Sequence, residues 1–253
     1  MQLDGITALV TGAASGLGAA TAAHLADRGA TVYGLDLEKA VAAAPTTADG
    51  IHLLPADVTD DEQVRAAVAR IRDDGRELRL AVSCAGIAPS ARIVSRNGPH
   101  DLDLFHTVLK VNLLGTFNVL RLAAEAMSAL DPHSSGQRGV IVNTASIAAF
   151  EGQVGQVAYA ASKAGVAGMT ITAARDLAQL GIRVMTIAPG IVETPMMAGF
   201  SDEIRAGLAA GVPFPRRLAQ APEFARLVAM IAEHDYLNGE VIRMDGALRM
   251  APR

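Results

Sequence analysis

The sequence I-T-A-L-V-T-G-A-A-S-G-L-G, at residues 6–18, sets the architecture of the chain. Ile6–Thr11 is short, apolar and β-branched, which is typical of a buried parallel strand. An Ala-rich helix then begins among the glycines and runs to about Arg28. Gly12 permits a tight turn, Gly16 a close approach of backbone to a pyrophosphate, and Gly18 close packing of the helix on the strand. The combination predicts a dinucleotide-binding turn.

The segments downstream keep alternating between strand and helix, with no break in composition that would mark a second domain. The predicted strands are Thr31–Asp36, Ile51–Ala56, Arg79–Cys84, Val140–Thr144, Arg183–Ile187 and Glu240–Met244. Two predicted helices end near Arg72 and near Leu180. Three further helices span Leu102–Leu130, Ser201–Ala210 and Pro222–Glu233. This alternation predicts an α/β fold: a Rossmann-type doubly wound parallel sheet of about seven strands, in three α/β/α layers, as one domain over residues 1–253. Right-handed crossovers bring every strand's carboxyl end to one rim, where ligands bind.

The composition excludes several classes of protein. Hydrophobic residues make up 51% of the 253 and charged residues 19%, which indicates a globular chain. The net charge of -4 and the lack of a basic stripe argue against nucleic acid, and no apolar run is long enough for a membrane span. The six histidines lack metal-ligand spacing. A single cysteine, Cys84, and a first strand that leaves no room for a targeting peptide favour a reducing, cytoplasmic location.

Asp36 ends the second predicted strand, eighteen residues beyond Gly18. A carboxylate there accepts hydrogen bonds from both ribose hydroxyls of NAD and repels the 2′-phosphate of NADP. No Arg or Lys stands nearby before Lys39 to neutralise such a phosphate. We therefore expect NAD. Ser15 and Leu17 complete the predicted phosphate-binding turn, where the helix offers free N–H groups and the positive end of its dipole.

The ends of the third and fourth predicted strands provide walls for the adenosine. Asp57 and Val58 would lie beside the adenine, and Cys84, Ala85 and Gly86 are small where the chain must pass the adenosine. Nothing near Cys84 predicts a lowered thiol pKa, so we interpret it as a wall residue rather than a nucleophile.

A second motif, S-I-A-A-F-E-G-Q-V-G-Q-V-A-Y-A-A-S-K, spans residues 146–163. Tyr159 and Lys163 are one helical turn apart and share a face, so the ammonium is expected to lower the phenol pKa from about 10. Ser146, at the end of a strand, would hold a substrate oxygen beside the phenol. Tyr-x-x-x-Lys alone is more often an ordinary helix start. The chain has nineteen Arg and only three Lys, so an ordinary surface cation at position 163 would more often be Arg. The presence of Lys163, together with the nucleotide motif, favours an acid–base site.

These residues together resemble the short-chain dehydrogenases/reductases over essentially the whole chain. The matching pieces are Thr11–Gly18, Asp57–Val58, Cys84–Gly86, Val111–Gly115, Ser146, Tyr159–Lys163 and Ala188–Gly190. The family usually carries Asn-Asn-Ala-Gly after the fourth strand, and this chain has Ser83-Cys84 in place of the two asparagines.

The resemblance implies a role for each member of a catalytic set. Tyr159 would be the general acid/base, Lys163 would lower its pKa and hold the nicotinamide ribose, and Ser146 would orient the substrate oxygen. Asn112 would bond a main-chain carbonyl and a water of a proton relay, whereas without the family it is more often a helix–helix hydrogen bond.

The resemblance also covers the nicotinamide end of the site and the assembly. Pro189 and Gly190 would form the turn past the nicotinamide, and Thr194 would bond its carboxamide. A homotetramer is implied as well, which agrees with the small apolar residues of the long Leu102–Leu130 helix.

A narrower resemblance, to the type II 3-hydroxyacyl-CoA dehydrogenases, rests on residues 145–156, 181–190, 212–218 and 237–250. It implies NAD-dependent interconversion of 3-hydroxyacyl-CoA and 3-oxoacyl-CoA, with 2-methyl-branched substrates included. Residues 191–217 would form an apolar substrate lid, with Met197, Phe200 and Phe214 among its side chains. Arg216 and Arg217 would meet CoA phosphates or remain solvated.

Three alternatives remain open. A hydroxysteroid dehydrogenase would use the same apolar lid. A 3-oxoacyl carrier-protein reductase would use NADPH, against which Asp36 argues. A protein of another class, a non-catalytic NAD-binding scaffold, would tolerate the loss of the Tyr159 hydroxyl.

Overall fold

The structure, a computed structural model, describes residues 1–45, 48–197, 199 and 201–252. Its strands are β1 (Thr7–Thr11), β2 (Thr31–Asp36), β3 (Ile51–Pro55), β4 (Leu78–Ser83), β5 (Val94–Ser95), β6 (Gly98–Pro99), β7 (Gly139–Thr144), β8 (Ile182–Pro189), β9 (Val192–Glu193), β10 (Ala219–Gln220) and β11 (Val241–Met244). Its α-helices are α1 (Gly16–Asp27), α2 (Glu38–Ala43), α3 (Asp61–Asp73), α4 (Leu102–Leu109), α5 (Thr116–Ser128), α6 (Val157–Leu177), α7 (Asp202–Ala210) and α8 (Ala221–Glu233).

Seven of these strands form one parallel sheet in the order β11-β8-β7-β4-β1-β2-β3. The chain winds outward from β1 in one direction and from β4 in the other. The strand order therefore reverses between β1 and β4, which opens a crevice at their carboxyl ends. The predicted fold class, a doubly wound parallel sheet of seven strands, is confirmed.

Alternate strand residues build two separate cores. Ala8 and Val10 pack with α1 and α8 on one face, whereas Leu9 points to the other face, among α3 and α5. The pattern follows from the period of two in a strand, and because both faces are covered, the strands of the sheet are mostly apolar on both faces. In the described part of the chain, no helix combines the length and the apolar character needed to cross a bilayer.

The long predicted helix Leu102–Leu130 is interrupted at its centre. Residues Lys110–Gly115 form a π-helical turn between α4 and α5. Gly115 ends this turn against Val58, where a Cβ would lie 2.7 Å from the Val58 Cγ2. The apolar periodicity of the sequence continues through the turn, so the interruption was not predicted.

The chain leaves the seven-stranded sheet after β8 and, after an excursion over residues 191–217, pairs β10 with β9 in a separate two-stranded sheet. The pairing of β9 with β10 joins the two ends of this excursion, and Ser201 caps α7 by accepting from the Ile204 N–H at 3.3 Å. Arg217 is ion-paired with Glu223 at 2.7 Å. Phe200 and the side chain of Met196 lie outside the described residues.

The contact of Gly18 with the first strand yields a stability prediction. Alanine at this position would place its Cβ 2.1 Å from the Gly12 carbonyl oxygen. Overpacking typically costs roughly 1–3 kcal/mol, so we expect Gly18→Ala to lower the free energy of unfolding by at least that much, in urea denaturation at fixed protein concentration. The control is Gly168→Ala on α6, where nothing lies within 4 Å and a gain of about 0.4–1 kcal/mol is expected. Equal values for the two variants would contradict the close contact.

Candidate active site

A cleft of about 810 Å³ lies at the carboxyl rim of the sheet. Seventeen of the eighteen predicted site residues line it: Gly12, Ser15, Gly16, Leu17, Gly18, Asp36, Asp57, Val58, Cys84, Ala85, Gly86, Ser146, Tyr159, Lys163, Pro189, Gly190 and Thr194. Asn112 is fully buried behind them. Residues from both halves of the chain thus share a single cleft.

The glycine turn closes tightly around the end of β4. Gly12 has a φ of +67°, and a Cβ there would lie 3.0 Å from the Ala85 nitrogen. The Thr11 hydroxyl accepts hydrogen bonds from the N–H groups of Cys84 and Ala85, both at 3.1 Å. Only glycine fits this approach of two backbones. Thr11, to which the motif assigned no role, joins β1 to β4 at the crevice.

Asp36 is anchored to the same turn. Its Oδ2 accepts from the Ala14 N–H at 2.9 Å, and its Oδ1 accepts from the Leu37 N–H at 2.8 Å. Each carboxylate oxygen has a further lone pair available for a ligand. The carboxylate therefore stands at the edge of the cleft in one orientation, as a fixed acceptor.

The helix that follows the turn leaves donors available. Ser15 is the N-cap residue of α1, and its side chain makes no capping hydrogen bond. The first N–H groups of an α-helix have no intrahelical partner, and the positive end of the dipole lies with them. Bare backbone at Gly12 and Gly16, free donors and an acidic residue at the next strand fit the diphosphate and ribose of a dinucleotide.

Cys84 lines the cleft, and its role as a wall of the adenosine site stays a prediction. Burial raises the pKa of its thiol to about 11, which opposes nucleophilic reactivity. The Thr144 hydroxyl lies 3.8 Å from its sulfur. Asp57 is held in its turn because its Oδ1 accepts from the Thr59 N–H at 2.8 Å.

Ser146, Tyr159 and Lys163 come together at the centre of the cleft. Ser146 caps a 3-10 turn at Ile147–Ala149, where its hydroxyl accepts from the Ala148 N–H at 3.1 Å. A hydrogen bond from the Ser146 side chain acts to lower the pKa of Tyr159. The Lys163 Nζ lies 5.8 Å from the Tyr159 ring centroid.

The expected effect of Lys163 on Tyr159 is not what the structure shows. Burial is the largest influence on the phenol and raises its pKa, with the Ser146 hydrogen bond opposing. Lys163 itself is buried, which lowers its pKa to about 8, and its ammonium donates to the Thr144 carbonyl at 2.8 Å. The prediction of an acidified phenol is thus wrong for the chain by itself, because the burial of Tyr159 outweighs the hydrogen bond from Ser146.

Asn112 connects three elements around this set. Its Oδ1 accepts from the Ile87 N–H at 2.8 Å, and its Nδ2 donates to the Ile87 carbonyl at 2.9 Å and to the Ser162 hydroxyl at 3.1 Å. Ser162 in turn donates to the Tyr159 carbonyl at 2.7 Å. Asn112 thus bonds a main-chain carbonyl and also bridges the π-helical turn to α6. Its link to a water relay stays a prediction.

Part of the cleft comes from residues to which the sequence motifs assigned no role. They include Ser90, Gln153, Val154, Gln156, Leu208 and Met250. Gln153, Val154 and Gln156 lie within the motif at residues 146–163, whereas Met250 ends the matching segment 237–250, in which no residue was given a place in the cleft. Among the described residues, no group of His, Cys, Asp or Glu is arranged to hold a metal ion.

The model of the short-chain dehydrogenase family matches residues 6–205. The chain therefore belongs to that family, and the predicted class of enzyme, an oxidoreductase with a nicotinamide cofactor, is confirmed.

Its relatives include 3-hydroxyacyl-CoA dehydrogenase type-2 of Bos taurus, which is 51% identical over 99% of this chain and 98% of its own. The 3-oxoacyl-[acyl-carrier-protein] reductase FabG of Thermotoga maritima is 37% identical over 98% of this chain and 99% of its own. The crystal structure of 3-hydroxyacyl-CoA dehydrogenase type-2 from Mycobacterium avium has a TM-score of 0.91 and 42% identity, and the match covers 98% of each chain.

The buried ammonium of Lys163 should make stability rise with pH. Its pKa is about 8 in the folded chain against 10.5 for an unperturbed lysine, so the unfolded state binds more protons between these values. Below pH 8 the folded state bears the cost of burying a charged ammonium, and above about pH 10.5 this cost is gone. The free energy of unfolding should therefore rise by about 3 kcal/mol across this range. Urea denaturation from pH 7 to 10 should show wild type gaining on Lys163→Met. Lys39→Met, at an exposed lysine, is the matched control and should follow wild type; parallel curves for all three would contradict the buried cation.

Proposed function

We propose that this chain is an NAD-dependent oxidoreductase that interconverts 3-hydroxyacyl-CoA and 3-oxoacyl-CoA, including 2-methyl-branched substrates. The observation that carries the proposal is the position of Ser146, Tyr159 and Lys163 in the same cleft as the glycine turn and Asp36. The relatives named 3-hydroxyacyl-CoA dehydrogenase type-2, matched over nearly the full chain, support the choice of substrate.

The proposed chemistry is proton transfer at one oxygen of the substrate. When bound, the nicotinamide supplies the hydride for the substrate carbon or accepts it. In reduction, the Tyr159 phenol gives its proton to the carbonyl oxygen while the Ser146 hydroxyl holds that oxygen; oxidation is the reverse. Burial raises the pKa of the phenol, so the proton that Tyr159 gives up is present at neutral pH.

Lys163 and Asn112 are proposed to support this transfer. Lys163 would bond the nicotinamide ribose through the ammonium that now donates to the Thr144 carbonyl. Gly86 lies between the two, because a Cβ there would be 3.1 Å from the Asn112 Oδ1 and 3.6 Å from the Lys163 Nζ. Asn112 would place a water of the proton relay near the ammonium.

NAD is proposed because of the acceptor at Asp36, whose carboxylate is held by the phosphate-binding turn itself. The remaining cofactor contacts are proposed for the other lining residues: phosphates at Gly12, Ser15, Gly16, Leu17 and Gly18; adenosine at Asp57, Val58, Cys84, Ala85 and Gly86; nicotinamide at Pro189, Gly190 and Thr194. The carrier-protein reductase remains the second candidate, favoured by the similarity to the Thermotoga maritima enzyme and opposed by this carboxylate.

Residues 191–217 are proposed as the substrate lid of a single domain. Ile191, Met197 and Leu208 line the cleft and give it an apolar wall. The ion pair of Arg217 with Glu223 makes Arg216 the better candidate for a CoA phosphate.

A homotetramer in the cytoplasm is proposed for the assembly and location. Large apolar side chains are exposed on α4 to α6 and on the π-helical turn, namely Leu102, Leu114, Phe117, Val157 and Ile171. A partner subunit would cover them, and light scattering at the mass of a monomer would count against it. The location rests on the single cysteine.

The proposed function is tested with acetoacetyl-CoA and NADH, whose absorbance should fall with wild-type enzyme. Tyr159→Phe removes only the proton-transferring hydroxyl, so kcat should drop by about 100-fold or more while NADH still binds, as measured by fluorescence. Tyr236→Phe alters a tyrosine that is 95% exposed and should leave kcat unchanged. Full activity of Tyr159→Phe would exclude the acid–base role, and an inactive wild type would exclude the substrate.

The choice of cofactor is tested at Asp36. Asp36→Ala removes both the acceptor for the ribose hydroxyls and the repulsion of a 2′-phosphate. The ratio of kcat/KM for NADPH to that for NADH should rise by about tenfold or more, which corresponds to about 1.4 kcal/mol. Asp49→Ala, at the opposite end of β3, is the control and should keep the wild-type ratio. A wild type that prefers NADPH would overturn the assignment.

A further inference from the structure

The end of the chain packs along the loop that follows Ser146. We call residues 245–252 the C-terminal strap. The Pro252 carbonyl accepts from the Val154 N–H at 3.1 Å, and the Ala251 carbonyl accepts from the Gln153 Nε2 at 3.0 Å. The Met250 N–H donates to the Glu151 Oε2 at 3.1 Å. These three contacts follow one another in the same order along the strap and the loop, so the two segments form one edge of the cleft.

Glu151 joins this edge to the sheet. Its Oε1 and Oε2 accept from the two terminal nitrogens of Arg243 on β11, at 3.0 and 3.2 Å, and the Arg249 Nε lies 3.3 Å from its Oε1. The Arg243 guanidinium also lies over the Phe150 ring, 5.4 Å from its centroid, and bonds Asp245 at 2.7 Å. Such charge-assisted, bidentate pairs fix geometry as well as adding energy.

The strap reaches the centre of the cleft through an apolar cluster. Leu248 of the strap is buried with Ile147, the residue after Ser146, and with Val212 of the excursion. Ile191 and Met250 pack against this cluster, and both line the cleft. Met250 therefore stands between the loop that carries Ser146 and the proposed lid, on an apolar wall.

We propose that Met250 is a specificity-determining residue that bounds the acyl end of the substrate site, and that Glu151 is the positioning residue that holds it there. The proposal rests on the proposed function for the identity of the substrate. An unbranched thioether side chain adapts its shape to an apolar chain of the substrate. Glu151 contacts neither the substrate nor the cofactor, and acts through the Met250 backbone.

Met250→Ala tests the wall directly by shortening the side chain. We measure kcat/KM for 3-oxoacyl-CoA substrates of increasing acyl length, with 3-oxo steroids in the same panel. Because pocket volume discriminates by about tenfold or more per methylene-sized group, the ratio of long-chain to acetoacetyl activity should rise by about fivefold or more. An unchanged ratio would overturn the role of Met250.

Glu151→Gln tests the positioning. Both carboxylate oxygens accept hydrogen bonds, so an amide must turn a donor towards another donor. We expect the KM for the ketone substrate to rise by about tenfold, with the KM for NADH within about twofold of wild type. Glu233→Gln removes a carboxylate paired with Arg28 at 2.6 Å on the surface, remote from the cleft, and is the matched control. Equal rises in both KM values, or a fall in kcat alone, would contradict a positioning role.

Amide hydrogen exchange tests the link between Glu151 and Met250 without any substrate, so its result does not depend on the proposed function. In Glu151→Gln the amides of Met250 and Val154 should exchange faster than in wild type, whichever substrate is used, and unchanged exchange would overturn the link. If wild type reduces steroids and no acyl-CoA, the proposed substrate fails, and the two variants are then judged on the steroids.

Discussion

The buried amide of Asn112 holds together three pieces of the chain that are built independently. It bonds both the N–H and the carbonyl of Ile87 in the loop after β4, and it reaches Ser162 on α6. Its own backbone lies in the π-helical turn, where the Thr116 hydroxyl donates to the Asn112 carbonyl at 2.7 Å. π-helical turns are frequent at functional sites because they aim a side chain that a regular helix would misdirect. Without this amide, the loop after β4 and the helix that carries Tyr159 would no longer be joined through a shared side chain.

The electrostatics of the centre follow from burial rather than from paired charges. Lys163 is buried and bonds a neutral carbonyl, and the nearest titratable group that influences it is the thiol of Cys84. With a pKa of about 8, the buried amine of Lys163 is mostly charged at physiological pH but is much closer to losing its proton than an exposed lysine. The proton held by the phenol and the one held by the ammonium are therefore both sensitive to any change of solvation in the cleft.

Most of the fold was predictable because its signals are local. The strands of the sheet are mostly apolar runs of four to eight residues, and Gly18 is demanded by a contact with Gly12, six residues away. The proximity of Tyr159 and Lys163 was predictable for the same reason, since they share one helix turn. The π-helical turn was not, because its side chains keep the apolar period of an α-helix. The contribution of Met250 was not predictable because it depends on a contact with Glu151, 99 residues away in the sequence. The raised pKa of Tyr159 was not predictable because it depends on packing that no short motif encodes.

The pairing of β9 with β10 has a consequence for how this architecture diversifies. Because the ladder clamps the excursion where it departs and where it returns, residues can be gained or lost between the clamps at the modest entropic cost of a longer loop. The glycine turn and Asp36 lie outside this loop, and the hydrogen bond between them does not involve it. Changes of length between the clamps can therefore reshape one wall of the cleft while this bond is kept.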